Sequence, residues 1–549
     1  MKSIVLFFTF CLAVSLSAFR QGEAPENWYN LDNGTDKVQG VSTEKTYAKL
    51  LKGRDSETVI VAVIDSGVDA EHEDLKEAMW VNEDEIPGNG IDDDRNGYID
   101  DIHGWNFIGG KNGKNVSNDA LEITRLVAHY DKKFKGKDSN SLSKKEKKEY
   151  ETYQELKEKI RKKRIELQEQ GLGYIAFAGG VNEVKNSIKK DNITGEDLMS
   201  FESDKPEITQ VAQRLAAIMK QQGMTFAELD KEISGGAKFF SNQLDYMYNV
   251  DFDPRSEIVG DNYADSNERN YGNNDVKGPD AGHGTHVAGI IAAVRNNDIG
   301  IKGVADNVRI MSIRAVPDGD ERDKDVANAI FYAVDNGATI INMSFGKAYS
   351  WDKDIVDKAM RYAQKKDVLL VHAAGNDSKN TDTETNFPID KYAKKGGLFK
   401  PKRTKNWMEI GALSWKPGED AVAGFSNYGK ENVDLFASGH QILSTTPEQG
   451  YEKFSGTSMA APVVAGVAAM IRSYFPKLKA SQVKEILMKS VVVQTQKVKR
   501  PGHKEGDTKI SFTELCKTGG VVNAYKAVEL AAKTKGKKKI KKKKNVVQP

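Results

Sequence analysis

The spacing of apolar positions changes along this chain and divides it into parts. Residues 58–64 read TVIVAVI, an unbroken and mostly β-branched run without a polar face. Such a run predicts a strand covered on both sides, as in a parallel sheet. Similar short runs recur at 308–313, 339–343, 368–372 and 408–412. Helical spacing predicts helices over 285–294, 323–336 and 351–366. Strand alternating with helix predicts an α/β fold with helices on both faces of the sheet. These units fill about 41–115 and 257–532.

The stretch 118–255 follows another pattern. Lys and Glu dominate 141–170, while Tyr150, Tyr153, Leu156, Ile160, Ile165 and Leu167 fall near helical spacing. This predicts a long, charge-laced helix with a narrow apolar stripe. Further helices are predicted at 205–222, with Pro206 in the first turn, and at 224–233. The region is read as an α-helical insertion whose charges line solvated faces.

Both ends are distinctive. Lys2, an apolar run over 4–16 and the small residues Ser15, Ser17 and Ala18 predict a secretory signal peptide over 1–18. The run is too short for a comfortable membrane span. The expected destination is outside the cell, in a periplasm or in the cell envelope. At the other end, nine of the twelve residues 533–544 are lysine. A disordered tail over 533–549 is expected, either suited to anionic surfaces or simply solvated without a specific task. Between these ends, 19–532 is read as one α/β domain carrying the insertion.

Composition adds two constraints. The net charge of +2 gives no global attraction to nucleic acid, so no specific nucleic-acid partner is expected. After removal of the leader with Cys11, only Cys516 remains, so no internal disulfide forms. A domain of this size can bury enough surface without one. Cys516 is read as a small core residue.

Three segments carry candidate chemistry. Asp65 ends the buried run in IVAVIDSGVD, His283 precedes an apolar helix in GPDAGHGTHVAGIIAA, and Ser458 opens a small-residue helix in FSGTSMAAPVVAGVAAMI. Taken singly, each has a bland reading: a turn Asp, a structural His, a helix-start Ser. Together they supply a complete set. A serine hydroxyl needs a base, histidine is the natural base, and a carboxylate holds its tautomer. The carboxyl ends of parallel strands are where such α/β sheets place ligands.

DSGVD, HGTHVAG and GTSMAAP, in the order Asp, His, Ser, resemble the active-site motifs of the subtilisin-like serine proteases. The resemblance implies a doubly wound parallel α/β sheet and a serine endopeptidase. Asp65, His283 and Ser458 would form its triad and act on polypeptides through an acyl-enzyme. That chemistry calls for no redox or organic cofactor. Asn376 in HAAGND falls at the family's side-chain oxyanion donor, and Ser344, Phe345 and Gly346 in INMSFG at the edge that pairs with substrate backbone. His286 is assigned a structural role. A second substrate edge is placed near 316–321, and a domain-closing helix near 522–531. Pro462, near the expected helix start, breaks helix rules in the same way the family does.

The chain also departs from the family. Asp65 and His283 lie 283 − 65 = 218 residues apart, more than in simpler members. The insertion accounts for the excess and is expected beside the substrate cleft, restricting access or recruiting a partner. Only 65 − 18 = 47 residues separate the leader from Asp65, too few for a folding pro-domain with its lead-in. Folding is either unassisted or helped by another segment. Residues 437–439 read ASG where the family has Ala-Pro-Gly.

Residues 92–101, DDDRNGYIDD, resemble the front of an EF-hand-type loop. Structural calcium is expected at Asp92, Asp94, Asn96 and Asp100, with Gly97 making the turn. His103 stands where that loop has its bidentate Glu, so Asp100 or Asp101 would supply the charge. The alternative is a solvated acidic turn. Two other functions are open to such a chain: a catalytically silent binding scaffold, and a peptide ligase or transferase using the same triad. Four filled catalytic positions argue against the first, and no feature favours the second.

Overall fold

The computed structural model describes residues 22–393 and 402–537. The expected leader and residues 538–549 of the expected tail lie outside them.

A nine-stranded sheet forms the centre. Its strands in chain order are β1 (Val59–Asp65), β2 (Gly104–Asn106), β3 (Val308–Arg314), β4 (Ile340–Met343), β5 (Leu369–Ala373), β6 (Trp407–Leu413) and β7 (Leu435–Ser438). A hairpin, β8 (Ile442–Thr446) and β9 (Gly450–Phe454), follows separately. Two-residue strands β10 (Val492–Val493), β11 (Lys497–Val498), β12 (Ile510–Ser511) and β13 (Gly520–Val521) complete the set. The sheet order is β10-β13-β7-β6-β5-β4-β1-β3-β2. All its pairings are parallel except β10 with β13.

Alternation along β1 explains the run that marks it. Val59, Val61 and Val63 enter one core, while Ala62 and Ile64 enter the other. Each face is covered, so neither set of positions can be polar.

The longer helices of the insertion are α1 (Glu122–Phe134), α2 (Lys144–Ile188), α3 (Pro206–Gln222) and α4 (Phe226–Asn242). They enclose apolar cores of their own, one around Leu215 and Leu229 and one around Tyr153 and Leu156. Helix α2 runs 45 residues, well past the expected end at 170. Two of its glycines lie at helix crossings rather than breaks. A Cβ on Gly171 would come 2.9 Å from the Phe240 ring, and one on Gly180 would come 2.9 Å from Val211.

Around the sheet lie α5 (Gly282–Ala292), α6 (Asp323–Asp335), α7 (Lys353–Lys365), α8 (Thr457–Tyr474), α9 (Ala480–Lys489) and α10 (Ala524–Lys533). Helices α5 and α8 share one core with β1, and α6 and α7 share the other. This is the doubly wound α/β arrangement read from the sequence. Lys533 closes α10 rather than opening the tail, and Cys516 is fully buried as a core residue. Pro462 sits inside α8, beyond its first turn, where it costs an intrahelical bond.

Candidate active site

The carboxyl ends of β1, β4 and β5 and the starts of α5 and α8 converge on one site. Asp65 ends β1 and is 2% exposed. Its Oδ1 accepts from the Ser66 N–H at 2.8 Å and faces His283 Nδ1 at 2.7 Å. His283 is the second residue of α5. Two glycines permit this approach. A Cβ on Gly284 would lie 2.1 Å from Gly67 O, and Gly67 has φ +134° with Lys277 O 2.1 Å from its own Cβ position.

The electrostatics follow from that contact. Burial works against charge on the His283 ring, but the Asp65 carboxylate outweighs it and holds the His283 pKa above the ordinary value. The side chain remains 38% exposed, open to a substrate. His286 differs entirely. Its Nε2 meets the carbonyls of Ile442 and Glu452 at 2.9 and 3.0 Å, and it stacks on Phe454. Burial pushes its pKa down to about 3, consistent with the structural role assigned from sequence.

Ser458 is the second residue of α8, where backbone N–H groups lack intrahelical partners. Its Oγ donates to the Ser344 carbonyl at 3.0 Å rather than to His283. Asn376 follows β5 and is anchored through Oδ1, which accepts from Thr457 N and Oγ1 at 2.8 and 3.0 Å. A Cβ on Gly456 would lie 3.3 Å from Asn376 Nδ2 and 3.5 Å from Ser458 N. Gly456 thus keeps open a space bounded by two donors, the geometry that suits a developing oxyanion.

Of the expected substrate edge, Ser344 is 4% and Phe345 9% exposed, while Gly346 is exposed. Ser344 faces Ser458 rather than the surface: its Oγ accepts from Asn342 Nδ2 and donates to Ser458 O, both at 2.9 Å. Val316 and Asp318 line a recess of about 260 Å³ with Asp65, His283 and Ser344, placing part of the second expected edge beside Asp65 and His283.

The insertion reaches this region. Ile123, Lys159 and Tyr248 line a cleft of about 330 Å³ together with Gly346 and Asn386. Beneath it lies a buried charge cluster that sequence reading missed. Lys347 Nζ contacts Glu122 at 3.1 Å, Asp323 at 2.8 Å and the Glu321 carbonyl at 2.7 Å. Asp119 binds Arg322 at 2.7 Å and Arg125 at 3.6 Å. Arg314 was also missed. Buried at the end of β3, it donates to Ser66 O at 2.8 Å, beside Asp65. Its only sequence signal is a basic residue ending an apolar strand.

The acidic loop departs from the expected ligand set. Carboxylates of Glu85, Asp92 and Asp94 lie within 4.8 Å of one another. Asp100 turns away: its oxygens accept from the N–H groups of Gly88, Asn89 and Gly90 at 2.8, 3.2 and 2.9 Å. Asn96 donates to Asp94 and Asp101 at 3.0 and 3.1 Å. Burial pushes the Asp101 carboxyl up to about 6, and Tyr332 and Asn82 donate to it. The loop is therefore organised around Glu85, which contributes no motif position.

Comparison with known proteins agrees with this geometry. The model of the Subtilase family, Peptidase_S8, matches residues 56–514. The thermophilic serine proteinase of Bacillus sp. strain AK1 is 41% identical over 35% of this chain and 42% of its own length. The cell wall-associated protease of Bacillus subtilis strain 168 is 28% identical over 58% of this chain and 38% of its own. Thermitase of Thermoactinomyces vulgaris is 34% identical over 45% of this chain and 75% of its own. The chain thus spans less than half the length of the first two relatives, and three quarters of thermitase. With the family model covering most of its residues, the chain belongs to the subtilase family.

Proposed function

We propose that this chain is a secreted serine endopeptidase working through an acyl-enzyme. The observation that carries the reading is the 2.7 Å contact of His283 Nδ1 with buried Asp65, set beside Ser458 at a helix start. In this mechanism Ser458 Oγ leaves the Ser344 carbonyl and passes its proton to His283 Nε2 as it attacks the scissile carbonyl. Asp65 holds the Nδ1 proton and stabilises the imidazolium. Asn376 Nδ2 and the Ser458 N–H receive the oxyanion. His283 then protonates the leaving amine, and water repeats the sequence to release the acyl group. The exposed edge at Gly346 accepts the extended substrate backbone.

Export is part of the proposal and rests on the leader pattern at 1–18. No described helix is long and apolar enough to cross a membrane. The lysine tail would hold the enzyme near anionic surfaces. Calcium in the acidic loop, held by Glu85, Asp92 and Asp94, would serve stability rather than chemistry.

The test is cleavage of casein by the purified protein and by Ser458→Ala, each with and without a serine-directed phosphonate. Cleavage by the wild type alone, abolished by the phosphonate, is the expected result. Equal cleavage by Ser458→Ala would remove Ser458 as nucleophile.

A further inference from the structure

A cavity of about 640 Å³ opens past the carboxyl ends of β6 and β7. The sheet order β7-β6-β5-β4 places it across Asn376 from the edge at 344–346. It is joined to the reaction centre by short, rigid links. Gly456 N donates to Gly439 O at 2.8 Å, and His440 in the cavity wall is the next residue. On the other side, Ser378 lies two residues past Asn376. Its N–H donates to Phe425 O at 2.9 Å and its Oγ to Gly424 O at 2.8 Å. Gly424 O also accepts from Gly502 N at 2.9 Å, which ties in the loop carrying Arg500 and His503.

The cavity wall is basic. Lys416, Arg500, His440 and His503 line it, with Lys499 also present. Two acidic residues accompany them, and among the described residues neither forms an ion pair with Arg500. Asp420 is taken by Lys499 at 2.8 Å, and Glu505 is exposed. Arg500 donates to the Tyr428 hydroxyl at 3.1 Å. The Nδ1 atoms of His440 and His503 are both buried without a hydrogen-bond partner among the described residues. Burial, reinforced by Lys416, holds His440 below the ordinary histidine pKa, so its ring is neutral near pH 7. A buried polar atom left unpaired is costly unless a ligand satisfies it.

We propose that this cavity receives the part of the substrate that follows the scissile bond, and that it binds a carboxylate there. Arg500 and Lys416 supply the charge, and the His440 and His503 rings supply hydrogen bonds. With the acyl half on the 344–346 edge, as in the proposed mechanism, the ends of β5, β6 and β7 beyond Asn376 are open to the leaving-group half. The carboxylate belongs either to an Asp or Glu side chain or to a free C-terminus. The inference rests on the peptidase reading and names the substrate class for it.

The test uses the full protein and internally quenched peptides that share one sequence before a cleavage site mapped in casein. One arm places Glu, Gln or Lys at each of the first three positions after the bond, with an amidated end. A second arm ends the peptide at those positions with a free carboxylate or an amide. A charge-assisted contact predicts kcat/KM at least about ten-fold higher for Glu than for Gln, or for free acid than for amide. The arm that shows the gain identifies the source. Arg500→Gln and, separately, Lys416→Gln should narrow that ratio, with thermal melts confirming the fold. Equal kcat/KM within both arms overturns the subsite, as does a ratio unmoved by both variants. Absence of cleavage of any peptide, with no phosphonate on Ser458, overturns the peptidase reading itself and the subsite with it.

Discussion

Ser344 and Ser458 are tied together in both directions: Ser344 Oγ donates to Ser458 O at 2.9 Å, and Ser458 Oγ donates to Ser344 O at 3.0 Å. The reason lies four residues further on. Pro462 has no N–H to give to the Ser458 carbonyl, so an acceptor in the first turn of α8 is left without its helical partner. Ser344, just past the end of β4, fills that role and links the 344–346 segment to Ser458. Ser344→Ala strands the carbonyl, a loss of about 1–3 kcal/mol in stability. The melting temperature should fall and kcat should drop more than KM changes. Unchanged melting and kinetics would remove the positioning role.

Asn376→Leu deletes the side-chain donor to the oxyanion space. Turnover should fall by roughly 10²–10³ while KM changes little. Steady-state kinetics on a quenched peptide decide this. A rise in KM alone would place Asn376 in substrate binding instead.

The pH dependence follows from His283. Its pKa is raised in the folded enzyme, and catalysis needs the neutral ring. The acidic limb of kcat/KM should therefore lie above the ordinary histidine value and move down in Asp65→Asn. Stability runs the other way. The imidazolium–Asp65 contact contributes fully below the unfolded histidine pKa, and the contribution is lost as pH rises through the raised folded value. A limb unmoved by Asp65→Asn would mean another group sets it.

Glu85, Asp92 and Asp94 predict a calcium effect on stability. Added calcium should raise the melting temperature of the wild type, by linkage, and leave Glu85→Gln unaffected. Asp100→Asn should still respond to calcium if folded, because its carboxylate caps the backbone at 88–90. No calcium response in the wild type would leave a solvated acidic turn.

The Glu122–Lys347 contact welds the insertion to the catalytic sheet. Removing one partner leaves a buried charge uncompensated, at about 3–5 kcal/mol. Lys347→Met should therefore melt well below the wild type, and adding Glu122→Gln should recover part of the loss. Deleting 118–255 strips Arg322 of Asp119 and Asp253 and leaves Lys347 with Asp323 alone, and should yield no folded enzyme. A stable deletion variant would show the insertion to be peripheral.

Much of this protein was legible in its sequence because the signals are local. A strand buried on both faces must be apolar at every position, so 58–64 marked β1 within one residue at each end. The triad residues occupy junctions between such strands and apolar helices, where short motifs specify both the turn and the reactive side chain. Tertiary structure decided what depends on distant partners. Helix α2 continues past 170 because Gly171 and Gly180 meet Phe240 and Val211 from other helices. Asp100 leaves the expected ligand set because backbone amides at 88–90 claim its carboxylate, and Glu85, which carried no expectation, lies with Asp92 and Asp94 instead. Lys347, Arg314 and Arg500 read as ordinary charges in the chain. Whether a charge is solvated, cancelled or left to bind a ligand depends on which groups surround it after folding, and those groups lie far away in sequence.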